Sequence, residues 1–380
     1  RKMIMDYLKR TWADISLDNL NFNYRALRGK LPSSCRFLGV VKADAYGHGA
    51  VPVSRHLNEL GAEYLAVSNI EEALQLRRGG IRGPVLILGY TPPFYAQDLA
   101  GMNLRQEVHS LEYARQLNER LAGTGRRLRI HLKLDTGMSR LGLLAHDPKA
   151  AAKEAAVLCS LPHLEWEGVF THFANADGDE DYTMLQFTRF LDALEEMEKV
   201  YGLTFEIRHC AASAAVLNYP CTHMDMIRPG VSLYGYYPDP SCEGLDGPGL
   251  QPVMTLKSRV SAVRDLPGNT PVSYGCTEAF GPEGGRVAVV PIGYADGLHR
   301  ALSNEGSLWL AGQPRPIMGR VCMDMCMVGL DGSANVKPGD VAEVFGPHLP
   351  IETLAAQAGT VQYELLCAVS PRVPRIYLNA

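Results

Sequence analysis

Eight short apolar runs recur through the first 235 residues, with stretches carrying apolar residues at helical spacing between them. The runs are "CRFLGVVK", "EYLAVS", "PVLILGY", "LRQEVHS", "LRIHLKLD", "LEWEGVFTH", "FEIRHCA" and "MDMIRPG". Segments such as "NIEEALQLRRGG" and "TMLQFTRFLDALEEMEKVYGL" separate them and read as amphipathic helices. Strand and helix alternating eight times over predicts an α/β fold of the (β/α)8 TIM-type barrel class, placed at residues 11–240.

The pattern changes after about residue 240. "YYPDPSCEGLDGPGLQP" has the Pro, Gly and Asp content of a linker or turn. Beyond it "MTLKSRVSAVRDL", "GRVAVVPIGYADG", "GSLWLAGQPRPIMGRVCMDMCMVGL" and "GDVAEVFG" read as strands joined by turns. A mostly β C-terminal domain is therefore expected over 241–380. Residues 1–10, "RKMIMDYLKR", read as a leader or expression remnant, and the start at Arg1 leaves open a removed N-terminal segment, a membrane domain included.

Composition narrows the function classes. The 380 residues are 46% hydrophobic and 21% charged, as in an ordinary globular protein, and the net charge of -4 gives no electrostatic case for nucleic acid or an anionic membrane. Small-molecule chemistry is the better expectation. No apolar run approaches the roughly 20 residues that span a bilayer. Nine cysteines without a C-x-x-C pair predict neither a disulfide framework nor a metal site, and fit a reduced cytoplasm.

In a (β/α)8 barrel, chemistry sits where the strands run out at their C-terminal ends. Lys42 follows "FLGVV", Lys133 and Asp135 close "IHLKLD", and His172, His209 and Arg228 follow the next three runs. Each alone is weak, and a lysine such as Lys42 at a strand end ordinarily snorkels into water. Together they place several cations at one rim, which suits a phosphate or carboxylate ligand.

The combination of motifs resembles one family. "VVKADAYGHG", "KLDTGMSRLG", "THFANAD", "HCAASAAV", "IRPGVSLYG", "VSYGCTEAF", "PIGYADG", "GRVCMDM" and "YELLCAVSPRVPR" stand in the order found in the alanine racemases, pyridoxal 5'-phosphate enzymes of fold-type III. The resemblance runs from about residue 11 to the end. It implies that Lys42 holds the cofactor as a Schiff base, in a place where desolvation lowers an amine's pKa towards the neutral form that imine exchange needs.

Other roles follow from the same resemblance. Tyr46, Ser213, Tyr363 and the backbone N–H groups of Gly230 and Val231 would hold the cofactor phosphate. Ser213 and Gly230 on their residues alone read as turn chemistry. Arg228 would face the pyridine nitrogen, and because a guanidinium keeps its proton the ring becomes a weaker electron sink, which favours reprotonation at the α-carbon over transamination. Lys42 and Tyr274 would act as acid and base on opposite faces of the substrate. A tyrosine with an ordinary pKa near 10 needs neighbours that stabilise its phenolate, and His172, backed by Arg228, is the candidate. By residue type alone, Tyr274 reads as a strand aromatic packing on the second domain.

Arg140, with the N–H of Met323, would bind the substrate carboxylate. Lys133 matches a position that often carries a carbamate able to hold Arg140, with an ordinary Lys133 to Asp135 contact as the alternative. Asp177, Tyr294, Arg300 and Arg320 match polar residues lining the substrate's path inwards, and equally read as solvated surface charges. Cys276 departs from the family pattern, where a different and often basic residue is common. Cys322 is within family range and reads as a buried, inert thiol.

The expected activity is interconversion of L- and D-alanine, feeding peptidoglycan synthesis, by a homodimer whose two sites are shared between chains. A serine or broad-specificity racemase is the nearest alternative, disfavoured because Tyr363 leaves little room for a hydroxymethyl group. A non-catalytic pyridoxal phosphate carrier would lack the β domain. A basic amino acid decarboxylase would need an acidic residue where Arg228 stands.

Overall fold

The computed structural model describes residues 10–240, 242, 249–332 and 334–379, so the segment read as a leader lies, except for Arg10, outside the described residues. The chain divides into two compact units.

The first unit, residues 20–45 and 50–251, is the barrel. Its parallel strands are Arg36–Val40, Tyr64–Val67, Val85–Ile87, Leu104–Val108, Leu128–Asp135, Leu164–Phe170, Ile207–His209 and Met226–Ile227, hydrogen-bonded in that order. Met226–Ile227 returns to pair with Arg36–Phe37. Between the last two strands the ring is drawn together by Asp225 N donating to Arg208 O and Arg228 N to Ala211 O. Each of the eight sequence runs becomes one of these strands. They read as continuous apolar runs because helices cover one face and the barrel interior fills the other. Tyr64–Val67 and Val85–Ile87 are buried at every position.

The covering helices start and stop where local chemistry says they should. Asn69, Ser110 and Asp179 each accept an N–H of the first turn at Ile70–Arg78, Leu111–Leu121 and Glu180–Tyr201. Asp147 caps Pro148–Cys159, with Pro148 at the first helical position. Glu180–Tyr201 buries Thr183, Gln186, Phe187, Phe190, Ala193 and Met197, a stripe at helical spacing, and ends on Gly202 at φ 64°.

The second unit comprises residues 252–380 with residues 1–19 and 46–49. Thr11–Ser16, which a boundary at residue 11 groups with the barrel, instead pairs antiparallel with Met254–Arg259 and parallel with Arg375–Leu378. It completes a six-stranded sheet with Val341–Phe345, Ser307–Leu310 and Gln313–Pro316. Arg10 already belongs to this unit, paired with Asp296 at 2.7 Å. Ala262–Leu266, Gly285–Val290 and Cys326–Leu330 form a second, three-stranded sheet. Met254–Arg259 alternates buried and half-buried residues, as a strand with one face on a core must. Among the described residues no helix is long and apolar enough to cross a membrane.

Candidate active site

Lys42 stands two residues past Arg36–Val40, half-buried, where the backbone turns the wrong way for L-residues. Ala43, Asp44, Ala45 and Tyr46 all have φ between 51° and 54°. A left-handed run costs roughly 1–2 kcal/mol per residue, so surrounding contacts must enforce it. Ala45 N donates to Val41 O at 2.9 Å. Glu72 Oε1 accepts Ala43 N and Asp44 Oδ1 accepts Ala50 N, both at 2.7 Å. Neither Asp44 nor Glu72 was singled out from sequence, although Asp44 lies inside "KADAYGHG" itself.

Arg228, at the end of the last barrel strand, is buried. Its Nη1 donates to His209 Nδ1 at 2.9 Å, and its Nη2 reaches Thr171 O at 2.9 Å, His172 Nδ1 at 3.2 Å and Cys210 O at 3.3 Å. No carboxylate pairs with it among the described residues. Burial pulls its pKa down to about 10, still far above neutrality, so the guanidinium stays charged.

His209 and His172 do not add to the rim's charge, contrary to the sequence reading. Burial first, then the cation Arg228, pushes both imidazoles well below their ordinary pKa and keeps them neutral. His209 lies inside the barrel rather than on its rim, stacked on Phe170 at 4.7 Å and bonded to His131 at 2.8 Å. His172 also feels Lys133, Arg140 and Lys42, which places these cations around it.

Lys133 is buried, and its Nζ sits 4.3 Å from the Phe170 ring centroid. Burial, then the charge of Arg228, lowers its pKa to about 7. The contact with Asp135 weighed above is absent: Asp135 Oδ1 accepts Gly137 N and Ser139 N, both at 3.0 Å, and shapes the turn before Arg140. Arg140 is exposed and forms no hydrogen bond or ion pair among the described residues. Asp177 lies in the same unit, beyond the strand that ends near His172.

Ser213 Oγ accepts Gly230 N at 2.9 Å, Ser232 N at 3.2 Å and the Ser232 hydroxyl at 2.9 Å. Two backbone N–H groups already fill the two lone pairs of this oxygen, and it shares a further hydrogen bond with the Ser232 hydroxyl, so Ser213 Oγ ties together the turn that follows Gly230. Gly230 N is thus already engaged. Val231 opens the short turn Val231–Tyr234 beside it.

In the second unit Tyr46 and Tyr363 lie together, ring centroids 6.2 Å apart, and burial raises the pKa of the Tyr46 phenol. Gly47 makes this close approach possible, since a Cβ there would stand 2.3 Å from Leu366 O. Tyr274 lies in the loop joining Pro271–Val272 to Glu278–Ala279, after Ser273 at φ 66°. Ser273 Oγ donates to Arg320 O at 2.6 Å. Tyr294 N and Ala295 N donate to Cys322 O and Met323 O, both at 3.0 Å. These bonds gather Tyr274, Tyr294, Arg320 and Met323. Arg300 joins through its short turn, where Ser303 Oγ accepts Val321 N at 2.9 Å. Tyr274 is 70% exposed, Met323 53% and Tyr294 45%, an apolar cluster of the kind that marks an interaction surface.

Two family models match this chain, the alanine racemase N-terminal domain over residues 15–238 and the alanine racemase C-terminal domain over 253–377. The chain belongs to the alanine racemase family. Alanine racemase of Desulforamulus reducens is 42% identical over 372 residues, covering 97% of this chain and 99% of that one. The Methanococcus maripaludis alanine racemase is 41% identical over 373 residues, covering 97% and 98%. Among solved structures, alanine racemase of Clostridium difficile matches with a TM-score of 0.91 at 36% identity, covering 97% and 96%. The Bacillus anthracis enzyme with bound L-Ala-P matches with a TM-score of 0.91 at 32% identity, covering 98% and 95%. The protein is therefore an amino acid racemase.

Proposed function

We propose that the enzyme interconverts L- and D-alanine with pyridoxal 5'-phosphate held covalently through Lys42 Nζ. The observation that carries this reading is Arg228, a buried guanidinium whose partners are imidazoles and carbonyls and never a carboxylate. A group that donates without giving up its proton suits a pyridine nitrogen that must stay unprotonated. Ser213, Gly230, Val231, Tyr46 and Tyr363 would hold the cofactor phosphate, Ser213 and Gly230 by exchanging the hydrogen bond they share for bonds to it. When bound, the cofactor stabilises negative charge developing at the substrate α-carbon.

The chain's own groups then divide the work. Lys42, freed once the substrate amine has taken its place on the cofactor, would take or return the α-proton on one face, and Tyr274 would do so on the other. His172, held by Arg228, keeps a neutral ring beside the cations and supports the phenolate of Tyr274. Arg140, aided by the Met323 N–H, binds the substrate carboxylate. Asp177, Tyr294, Arg300 and Arg320 line the path inwards. The exposed cluster of Tyr274, Tyr294 and Met323 is covered by a second copy of the chain, so that two shared sites form in a homodimer. Its nine cysteines, all free, suit a reducing cytoplasm, where the D-alanine made serves peptidoglycan synthesis.

The purified enzyme should be yellow and lose its visible band on borohydride reduction, with the label on Lys42. Against a panel of L-amino acids it should convert alanine fastest. A colourless protein that takes up no cofactor overturns the cofactor reading, and faster conversion of serine overturns the substrate.

A further inference from the structure

The barrel interior beneath Arg228 holds a line of polar groups that the mechanism above does not use. Arg228 Nη1 meets His209 Nδ1 at 2.9 Å, and His209 Nε2 meets His131 Nδ1 at 2.8 Å. His131 Nε2 in turn meets Glu167 Oε2 at 3.1 Å. Glu167 is clamped by Arg105, Nε to Oε2 at 3.0 Å and Nη2 to Oε1 at 3.1 Å. Arg105, His131, His209 and Arg228 are all buried.

The two ends of this line dictate its middle. A guanidinium can only donate, so His209 Nδ1 must accept and its proton resides on Nε2. That proton goes to His131 Nδ1, which must accept in turn, leaving the His131 proton on Nε2 and aimed at the carboxylate. An ionised carboxylate can only accept. Donor-only Arg228 and acceptor-only Glu167 are thus joined by two neutral imidazoles in one satisfied arrangement. An imidazolium at either ring would set two donors face to face.

The backbone is shaped for it. The strand pairing slips by one residue between Ile130 and His131, opposite Gly168. A Cβ on Gly168 would stand 2.4 Å from His131 Nδ1, so the ring lies where only glycine admits it. The ionisation states agree: burial lowers the pKa of both imidazoles, while the hydrogen bonds from His131 and Arg105 outweigh burial at Glu167 and hold its carboxyl at about 2.

We propose that Glu167 is a positioning residue for the racemase reaction: through His131 and His209 it fixes an acceptor against Arg228, and so holds the guanidinium in the plane that keeps the reaction from straying into transamination. The proposal rests on the reading that Arg228 faces the pyridine nitrogen.

The test is 15N spectroscopy of the histidine-labelled enzyme, with and without pyridoxal phosphate, alongside the ratio of transamination to racemisation turnovers. In the unaltered enzyme His131 and His209 should both be neutral with the proton on Nε2. Two variants break the line without leaving a lone buried charge, the pair Arg105→Met with Glu167→Leu, and His131→Leu alone. Whichever folds should shift the His209 nitrogen signals and raise the share of transamination by at least about tenfold, the factor expected when one hydrogen bond to a charged group is lost. A proton on Nδ1 of either ring in the unaltered enzyme overturns the proposal. So does a folded variant whose His209 signals shift while its transamination share does not. Arg228→Glu separates the two readings: if that change leaves the transamination share unaltered, the role of Arg228 itself falls, whatever the imidazoles show.

Discussion

Lys133 Nζ sits over the ring of Phe170, 4.3 Å from its centroid, in the field of the cations Arg228 and Arg140 and of the carboxylates Glu107 and Asp135, neither of which is bonded to it. With its pKa lowered to about 7, a large share of this amine is neutral at physiological pH. Only the neutral form reacts with carbon dioxide, giving a carbamate and releasing one proton. The product is an anion, which Arg140, Arg228 and the barrel interior would welcome. Enzyme equilibrated with 13C-bicarbonate above pH 7 should show one carbamate resonance, absent from Lys133→Met. The signal should fade as pH drops through about 7, because protonation removes the reacting amine. The Met variant should raise KM for alanine more than it lowers kcat, through a less firmly held Arg140.

Arg228→Glu places a proton donor or acceptor where the guanidinium only donates. Transamination should gain a measurable share of turnovers while racemisation slows, by 10²-fold or more on the scale of lost electrostatic stabilisation. Accumulated pyruvate and pyridoxamine phosphate report it directly.

Lys42→Ala and Tyr274→Phe should each be nearly inactive alone. Mixed after gentle dissociation, half of the randomly paired dimers carry one intact site and one doubly damaged site. Activity should return to about a quarter of wild type on that symmetry argument. No recovery, once subunit exchange is demonstrated, would mean that each site is built from a single chain.

Glu167 is also a stability group. Its carboxyl, at about 2 against an ordinary 4.5, is depressed in the folded state, so its contribution is fully present above about pH 4.5 and is lost as pH falls towards 2. The shift corresponds to at most about 3 kcal/mol, less what solvent screening removes. Thermal unfolding of Glu167→Gln should lie well below wild type at pH 6, and the two curves should converge near pH 2.

Gly168→Ala tests the packing of the same region. The added methyl meets the His131 ring at 2.4 Å from Nδ1, with no flexible neighbour to give way. A loss of roughly 1–3 kcal/mol in denaturant unfolding is expected, the usual cost of overpacking.

Much of this was legible from the chain. Apolar runs at strand length and helical spacing between them placed all eight barrel strands, because a parallel strand buried on both faces leaves a continuous apolar signature. Motif order carried the family. The interior line was partly visible, since "LRIHLKLD" sets His131, Lys133 and Asp135 two apart and therefore on one face of a strand. Which partner each would meet was not visible, for Glu167, His131 and Arg105 come from three different strands.

Local sequence by itself determined the elements, their caps and the residue types at the strand ends, since these depend on periodicity and on side chains bonding to backbone a few residues away. Tertiary structure alone decided that Thr11–Ser16 joins the C-terminal sheet, because pairing with Met254–Arg259 spans more than two hundred residues of chain. It also decided the charge states: His209 and His172 are held neutral and the pKa of Lys133 is lowered because burial beside Arg228 penalises a second cation. No sequence pattern encodes a dielectric or a distance, and those two quantities set what these groups can do.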